Sequence, residues 1–211
     1  MKLSNGAIIY KFGEPKLFIM AGAHGEEIAP VIALESLIHK KLKNVWILPC
    51  LNKKGYGDDN RKYSILREGK SPLDYDLNRE YKLSTKLPFM KELQDLIREY
   101  KPEIFVDMHE HIDESMENDF IWSSLANKNG EIESKLREFC CQQRLGIIYQ
   151  PTTREYKTSS DFFARRIGVP NAYTTETYKY SSLKKRITIN KKFIKFFLKI
   201  VADPKITEGQ K

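Results

Sequence analysis

Short apolar runs and longer amphipathic stretches alternate along the chain. Apolar runs bounded by Gly, Asn, Asp or Lys predict strands at residues 7–10, 17–21, 45–50, 103–108, 120–123, 146–149 and 172–175. Apolar residues at the helical period predict helices at 26–43, 88–100, 131–144, 160–167 and 190–202. Because strands alternate with helices, we expect an α/β fold with three αβα layers and a mixed, largely parallel, twisted sheet.

One long segment, residues 53–83, has no such period and is rich in Gly, Asp, Asn, Lys and Arg. Loops of this length in compact proteins are usually functional or disordered. The chain of 211 residues lies within the size range of a single domain. We therefore predict one domain over residues 1–206 and a disordered tail at 207–211.

The composition limits the cellular compartments and the kinds of binding partner that we expect. The three cysteines form neither a disulfide framework nor a paired zinc motif, which favours a reducing cytoplasm. No run approaches the roughly 18 apolar residues that span a bilayer, so no membrane partner is expected. The net charge of +8 comes from lysines and arginines spread along the chain. We interpret them as solvated helix faces and do not expect nucleic acid as a partner; nothing in the sequence predicts an oligomeric state.

Metal-capable side chains follow three of the predicted strands. His24 and Glu27 come after the predicted strand at 17–21. His109 directly follows the one at 103–108, and Glu176 directly follows the one at 172–175. In open α/β sheets, ligands bind outside the carboxyl ends of the strands. Two histidines and a glutamate there would leave a fourth zinc position open, as catalytic zinc sites do. Glu176 is then placed as general base, the alternative being an ion pair with a lysine or arginine.

The choice of histidines depends on context, because His111 and Glu114 repeat the H-x-x-E spacing. His24 follows an apolar strand, and Glu27 lies in the first turn of a predicted helix, where residues three apart face the same ion. His111 has no comparable turn and lies two residues beyond His109. We therefore expect His24, Glu27 and His109 as ligands, with His111 as an alternative.

A further polar group, Asp76-Leu-Asn78-Arg79 preceded by Arg61, lies in the long loop. Arginine and asparagine offer forked hydrogen bonds to a carboxylate. Arg61 or Arg79 would also serve as an oxyanion donor at a scissile carbonyl. Taken alone, the motif is equally typical of a salt-bridged loop.

The order of these motifs resembles the zinc carboxypeptidase superfamily. The resemblance extends from about Leu17 to Tyr178 and depends on the ordered set Ala21-Gly-Ala-His24-Gly-Glu-Glu27, Arg61, Asp76-Leu-Asn78-Arg79, Asp107-Met-His109 and Thr175-Glu176. It implies that His24, Glu27 and His109 bind one Zn²⁺ per chain and that Glu176 is the base. It further implies that Arg61 polarises the carbonyl, while Asn78 and Arg79 hold a substrate carboxylate.

Two branches of that superfamily compete. The short span between Glu27 and His109 is similar to the succinylglutamate desuccinylase/aspartoacylase branch, in which Arg166 would be a second carboxylate contact. The chain ends about 35 residues after Glu176, where typical deacylases carry a further domain. Residues 147–150 and 159–161 resemble true carboxypeptidases instead, with Tyr149 or Tyr156 as the mobile tyrosine of that family. The serine at 160 resembles a specificity position and argues against a purely apolar pocket.

The sequence thus predicts a cytoplasmic zinc hydrolase that cleaves an amide bond next to a free carboxylate. Its partner would be a small molecule or short peptide bearing that carboxylate. The favoured activity is N-acyl amino acid deacylation, and the alternative is metallocarboxypeptidase action on a short peptide or peptide-like molecule. A binding protein without catalysis is disfavoured, because no member of the ligand and base set is missing.

Overall fold

The computed structural model of the protein describes residues 1–68, 70–116, 118–124, 130–150 and 155–203. The α-helices are α1 (Ile28–Glu35), α2 (Lys53–Gly57), α3 (Pro88–Tyr100), α4 (Glu131–Gln143), α5 (Ser160–Arg166) and α6 (Leu183–Ala202). The strands are β1 (Tyr10–Phe12), β2 (Leu17–Ala21), β3 (Val45–Leu48), β4 (Tyr63–Arg67), β5 (Lys70–Tyr75), β6 (Ile104–His111), β7 (Phe120–Ser124), β8 (Gly146–Gln150) and β9 (Asn171–Tyr178). Short 3₁₀ turns occur at Leu77–Arg79, Glu114–Met116 and Glu155–Thr158. The predicted tail at 207–211 lies outside the described residues.

Seven of the described strands form one sheet in the order β1-β3-β2-β6-β9-β7-β8. The central pairs β3–β2, β2–β6 and β6–β9 are parallel, as is the β7–β8 pair. Antiparallel pairing joins β1 to β3 and β7 to β9. The predicted fold class, a mixed and largely parallel sheet flanked by helices, is therefore confirmed.

Two separate apolar clusters lie on the two faces of this sheet. In β2, the side chains of Leu17, Ile19 and Ala21 pack into one cluster, and those of Phe18 and Met20 into the other. Because side chains of a strand alternate between faces, β2 is buried on both sides. The first cluster is covered by α1, α4 and α6, and the second by α3 and α5.

The segment at 53–83, expected as a loop, contains regular structure. Its first part forms α2, which Asn52 caps by accepting a hydrogen bond from the Gly55 amide at 2.9 Å. Its second part forms an antiparallel hairpin, β4–β5, with a register shift between Ile65 and Arg67. The hairpin escaped prediction because its strands are largely exposed and carry charged residues, so they lack the apolar period of a buried strand.

The largest differences between the predicted and the observed bounds occur at three elements. The first helix ends at Glu35, because beyond it the amides of Leu37, Ile38 and Lys40 bond three residues back. The last helix begins at Leu183, where Ser182 accepts a hydrogen bond from the Lys185 amide. The strand predicted at 7–10 forms instead at Tyr10–Phe12, on the edge of the sheet. None of the described helices is both long and apolar enough to cross a membrane.

Candidate metal centre and active site

The carboxyl ends of β2, β6 and β9 lie side by side in the sheet. The parallel register pairs His109 of β6 with Glu176 of β9. After β2, Gly22 has a positive φ of 67°, which glycine adopts without strain and which turns the chain toward His24. Three short stretches far apart in sequence therefore bring their polar residues to one edge, as the sequence predicted.

The turn that carries His24 and Glu27 is held against the segment after β3. The Gly25 amide donates a hydrogen bond to the Asn60 carbonyl at 3.1 Å. A Cβ added at Gly25 would lie under 3.0 Å from the backbones of Gly55 and Asn60. Glycine is therefore required here by close packing of two backbones, and α2 serves as the support of the turn.

His24, Glu27 and His109 form a compact, buried cluster. The Nδ1 atom of His24 lies 2.7 Å from Glu27 Oε1, and Nδ1 of His109 lies 2.9 Å from Glu27 Oε2. One ligand atom from each of the three residues lies within 4.8 Å of the other two. Two imidazole nitrogens and a carboxylate at this spacing are the donor set of a catalytic zinc site, so the residues present fit the metal.

The outer nitrogens of both histidines face aspartates. His24 Nε2 lies 3.0 Å from Asp76 Oδ1, which also accepts a hydrogen bond from the Asn78 amide at 3.0 Å. His109 Nε2 lies 3.0 Å from Asp107 Oδ2, an ion-pair distance without hydrogen-bond alignment. Carboxylates on the outer nitrogen orient a ligating histidine and fix which nitrogen faces the metal. Here they leave both Nδ1 atoms turned toward Glu27.

Opposite charges within this cluster shift the pKa values of its carboxylates and imidazoles toward their ionised forms. Burial opposes ionisation of Glu27, yet the charges of His24 and His109 hold its pKa well below the usual range. Burial likewise opposes the charge on Asp76, but its hydrogen bond with His24 lowers its pKa to about 2. Burial would lower the histidine pKa values, and the surrounding carboxylates raise both instead. The carboxylates around the two imidazoles therefore favour a positive charge at this position.

Glu176 stands beside this cluster with different surroundings. Burial raises its pKa to about 8, and the carboxylates of Glu27 and Asp107 act in the same direction. Its Oε2 atom is buried and has no hydrogen-bond partner within the described part of the chain. An ion pair, the alternative interpretation from the sequence, is not among the contacts of the described residues. A half-buried carboxyl with a raised pKa in a cleft has the character of an acid–base group.

A cavity of about 620 Å³ opens over the cluster. Arg61, Asn78 and Arg79 line it together with the three candidate ligands and Glu176. The Arg61 guanidinium lies 3.1 Å from Glu26 Oε1 and 3.6 Å from Glu27 Oε1. The structure thus brings the residues of four sequence motifs into one cavity.

Other predicted residues lie elsewhere. The Arg166 side chain is exposed on α5 with its guanidinium carbon 6.0 Å from the Phe163 ring centre, and Arg166 is not among the described residues that line the cavity. The Tyr149 hydroxyl lies 3.4 Å from an Arg137 nitrogen on α4, also away from the described lining. The side chain of Tyr156 lies outside the described residues. His111 lines the cavity, but its ring packs at a tilt against that of Phe120, with 4.8 Å between ring centres, and it is not part of the His24, Glu27 and His109 cluster.

Sequence reasoning gave no separate role to two aspartates of the site, Asp76 and Asp107, which orient the histidines. Ser160, expected at a specificity position, donates to Asp107 Oδ2 at 2.5 Å and is not among the described residues that line the cavity. The signal for Asp107 was present, because residues two apart in a strand share a face and so must accompany His109. Lys179 also lines the cavity, just beyond β9.

Comparison with solved structures bears on this arrangement. Product-bound Csd4, a cell shape determinant protein from Helicobacter pylori, superposes with a TM-score of 0.71 at 16% identity, covering 90% of this chain and 52% of Csd4. A provisionally assigned metallopeptidase from Shewanella denitrificans gives a TM-score of 0.68 at 20% identity, covering 92% of this chain and 78% of that protein. This chain has a metallopeptidase-like fold.

The structural similarity to Csd4 covers only part of that protein and is not matched by sequence similarity. The chain spans about half the length of Csd4, which is described as a D,L-carboxypeptidase in its mDAP-bound structure. No family model and no curated protein matches the sequence. The structural likeness therefore establishes the architecture, and the chemistry has to be argued from the site.

Proposed function

We propose that this protein is a zinc-dependent hydrolase that cleaves a C–N bond beside a free carboxylate, acting as a carboxypeptidase on a short peptide or peptide-like molecule. The observation that carries the proposal is one cavity that combines a His/Glu/His cluster, a half-buried glutamate and an arginine–asparagine pair. Each part has a separate task in hydrolysis next to a carboxylate.

His24, Glu27 and His109 would hold the metal through two Nδ1 atoms and the Glu27 carboxylate. When bound, zinc supplies Lewis-acid polarisation of the scissile carbonyl and of the attacking water. The aspartates behind the histidines keep each imidazole in the tautomer that presents Nδ1 as a lone-pair donor.

Glu176 is the candidate general base. It acts in its ionised form, accepting a proton from the attacking water and later delivering that proton to the leaving nitrogen. Its pKa of about 8 belongs to the metal-free site, where burial opposes its charge. With a divalent cation bound to His24, Glu27 and His109, the Glu176 carboxylate would be ionised and able to accept a proton.

Arg61, Asn78 and Arg79 give the substrate its orientation. Arg61 lies next to Glu27 and is placed to stabilise the negative charge that develops on the carbonyl oxygen. Asn78 and Arg79 share the short helical turn that Asp76 caps, so one aspartate links the substrate cradle to His24. A guanidinium and an amide on one turn fit the two oxygens of a terminal carboxylate.

Deacylation of an N-acyl amino acid is the second candidate. Its expected carboxylate contact, Arg166, is exposed and is not among the described lining residues, which weakens this alternative. Lys179 does line the cavity on the β9 side and offers a cation to an acidic acyl group. The Csd4 structures, one with a tripeptide and one with mDAP, make a peptide-like substrate the first choice.

A substrate panel tests the proposal and separates the two candidates. Zinc-loaded protein is assayed on dipeptides and tripeptides, on N-succinyl and N-acetyl amino acids, and on the same molecules with the carboxylate blocked as an amide. We expect turnover of free peptides and at least a tenfold loss on blocking, because the forked contact is removed. Arg79→Lys should cause a similar loss on free peptides and little further loss on blocked ones. Equal turnover of free and blocked substrates would refute carboxylate recognition.

A further inference from the structure

A buried ion pair lies behind the metal centre, on the opposite face of the sheet. In β6, the side chains of His109 and Glu110 point to opposite faces, as neighbours in a strand must. Glu110 therefore faces α6, where Arg186 Nη1 donates to Glu110 Oε1 at 2.6 Å. The Glu110 side chain is fully buried and that of Arg186 is 11% exposed.

The second oxygen of Glu110 reaches the start of α1. Glu110 Oε2 accepts a hydrogen bond from the Ala29 amide at 3.3 Å. That amide lies in the first turn of α1, where backbone N–H groups have no partner within the helix. A residue in the position of Glu27, just before the helix, often supplies this bond from its own side chain. Glu27 makes no such bond, because its carboxylate is turned to the two histidines.

Two further side chains on the same face complete the network. Thr177, paired with Glu110 across β6 and β9, donates to Glu110 Oε1 at 3.4 Å. Asn190 of α6 donates to the Thr177 hydroxyl and to the Arg186 carbonyl. Glu110 is thus the point where the strand of His109, the helix that follows Glu27 and α6 meet.

We propose that Glu110 and Arg186 are a positioning pair for the metal centre. Glu110 satisfies the first turn of α1 in place of Glu27, which leaves the Glu27 carboxylate free to bind the metal. Arg186 supplies the positive charge and the hydrogen bond that hold the buried Glu110 carboxylate in place. Both residues would act indirectly, through the backbone segments that carry Glu27 and His109. The inference rests on the metal centre proposed above.

The test is the zinc dissociation constant, measured by competition with a chromophoric chelator, together with thermal unfolding of the metal-free protein. Arg186→Gln removes the charge and should weaken zinc binding roughly 10- to 100-fold, the usual effect of losing an outer-shell partner. Arg186→Lys keeps a cation beside Glu110 and should stay within about threefold of the wild type. Rescue by lysine separates a role through Glu110 from simple loss of packing.

Arg165 provides a matched control. It pairs with the buried Asp161 of α5 at 2.9 Å, donates to the Ala172 carbonyl of β9 and has similar exposure. Arg165→Gln should lower the unfolding temperature while leaving the zinc dissociation constant within about threefold, because its ion pair with Asp161 does not include Glu110 or the Ala29 amide of α1.

Each outcome decides one question. Failure of the wild type to bind zinc would remove the metal centre and with it the proposed function. Zinc binding by the wild type with an unchanged constant in folded Arg186→Gln would overturn only the positioning pair. Equal weakening in Arg165→Gln would overturn it too, since the effect would then be general destabilisation. If Arg186→Gln does not fold, Arg186→Lys decides: near-wild-type affinity supports the pair, and a tenfold loss contradicts it.

Discussion

Gly25→Ala is the substitution that most directly tests how the metal-binding turn is supported. The turn between His24 and Glu27 packs backbone to backbone on α2 and the residues after it. A Cβ at Gly25 would meet the Gly55 carbonyl group and the Asn60 oxygen at under 3.0 Å, and neither can rotate away as a flexible side chain would. The turn and α2 must therefore separate, which breaks the 3.1 Å hydrogen bond from Gly25 to Asn60.

The magnitude follows from the nature of the clash. Overpacking usually costs about 1–3 kcal/mol, and a clash with backbone belongs at the upper end, about 3 kcal/mol. For a chain of this size, each kcal/mol shifts the unfolding temperature by about 2–4 °C, so we expect a drop of roughly 6–12 °C. Because the displaced turn carries two ligands, the zinc dissociation constant should rise by about tenfold or more.

Gly57→Ala is the control, since a Cβ there would meet nothing within 4 Å. The substitution lies in the same α2 helix and should be neutral or stabilising by up to about 1 kcal/mol. Calorimetry of both metal-free variants, followed by zinc titration, makes the comparison. An unchanged unfolding temperature and zinc affinity in Gly25→Ala would refute the backbone contact. A loss in Gly57→Ala equal to that in Gly25→Ala would show that α2 tolerates no change at all, and would refute the specific clash.

Three other predictions concern the site itself. His109→Ala should abolish stoichiometric zinc binding, measured by atomic emission, whereas His111→Ala should retain about one zinc per chain; the reverse would move the ligand to His111. Glu176→Gln should keep zinc but lose roughly 100-fold or more in kcat, and near-wild-type turnover would exclude Glu176 as the base. The raised pKa values of His24 and His109 give the metal-free protein stability that is present below their usual pKa of 6.5 and is lost as pH rises through the raised values. Zinc binding releases those protons, so the rise in unfolding temperature caused by zinc should grow from about pH 6 to about pH 8, and a constant rise would contradict it.

Buried elements of the fold were predictable because burial leaves a period in the sequence. The strand Leu17–Ala21 and the helix Pro88–Tyr100 were predicted with the bounds that the structure gives. The hairpin β4–β5 was not, since exposed strands carry no apolar alternation. The start of α6 was predicted at residue 190, whereas the helix begins at Leu183, where Ser182 accepts a hydrogen bond from the Lys185 amide.

The candidate site divides in the same way. The clustering of residues that follow a strand within a few positions, such as His24 and His109, was predictable because the sheet brings strand ends together. Arg166 was assigned by resemblance, and the phase of α5 decides its direction instead: Asp161 faces inward and Arg166 points to solvent. Partners that depend on tertiary packing, such as Arg186 for Glu110, leave no local signal in either segment.

The register of β6 joins the chemistry to the core. Phe105 and His109 share one face of this strand, and Val106 and Glu110 share the other, because side chains alternate. A shift of β6 by one residue against β9 would turn the Glu110 side chain to the face that now carries His109, and His109 to the face of Arg186. The same shift would move each apolar side chain of β6 from its own buried cluster to the other one. The two buried clusters that fix the register therefore also fix which residues of β6 face the candidate metal centre and which lie on the opposite face. For this reason we expect core substitutions in β6 far from the cavity, such as Val106→Thr, to weaken zinc binding only when they also destabilise the fold.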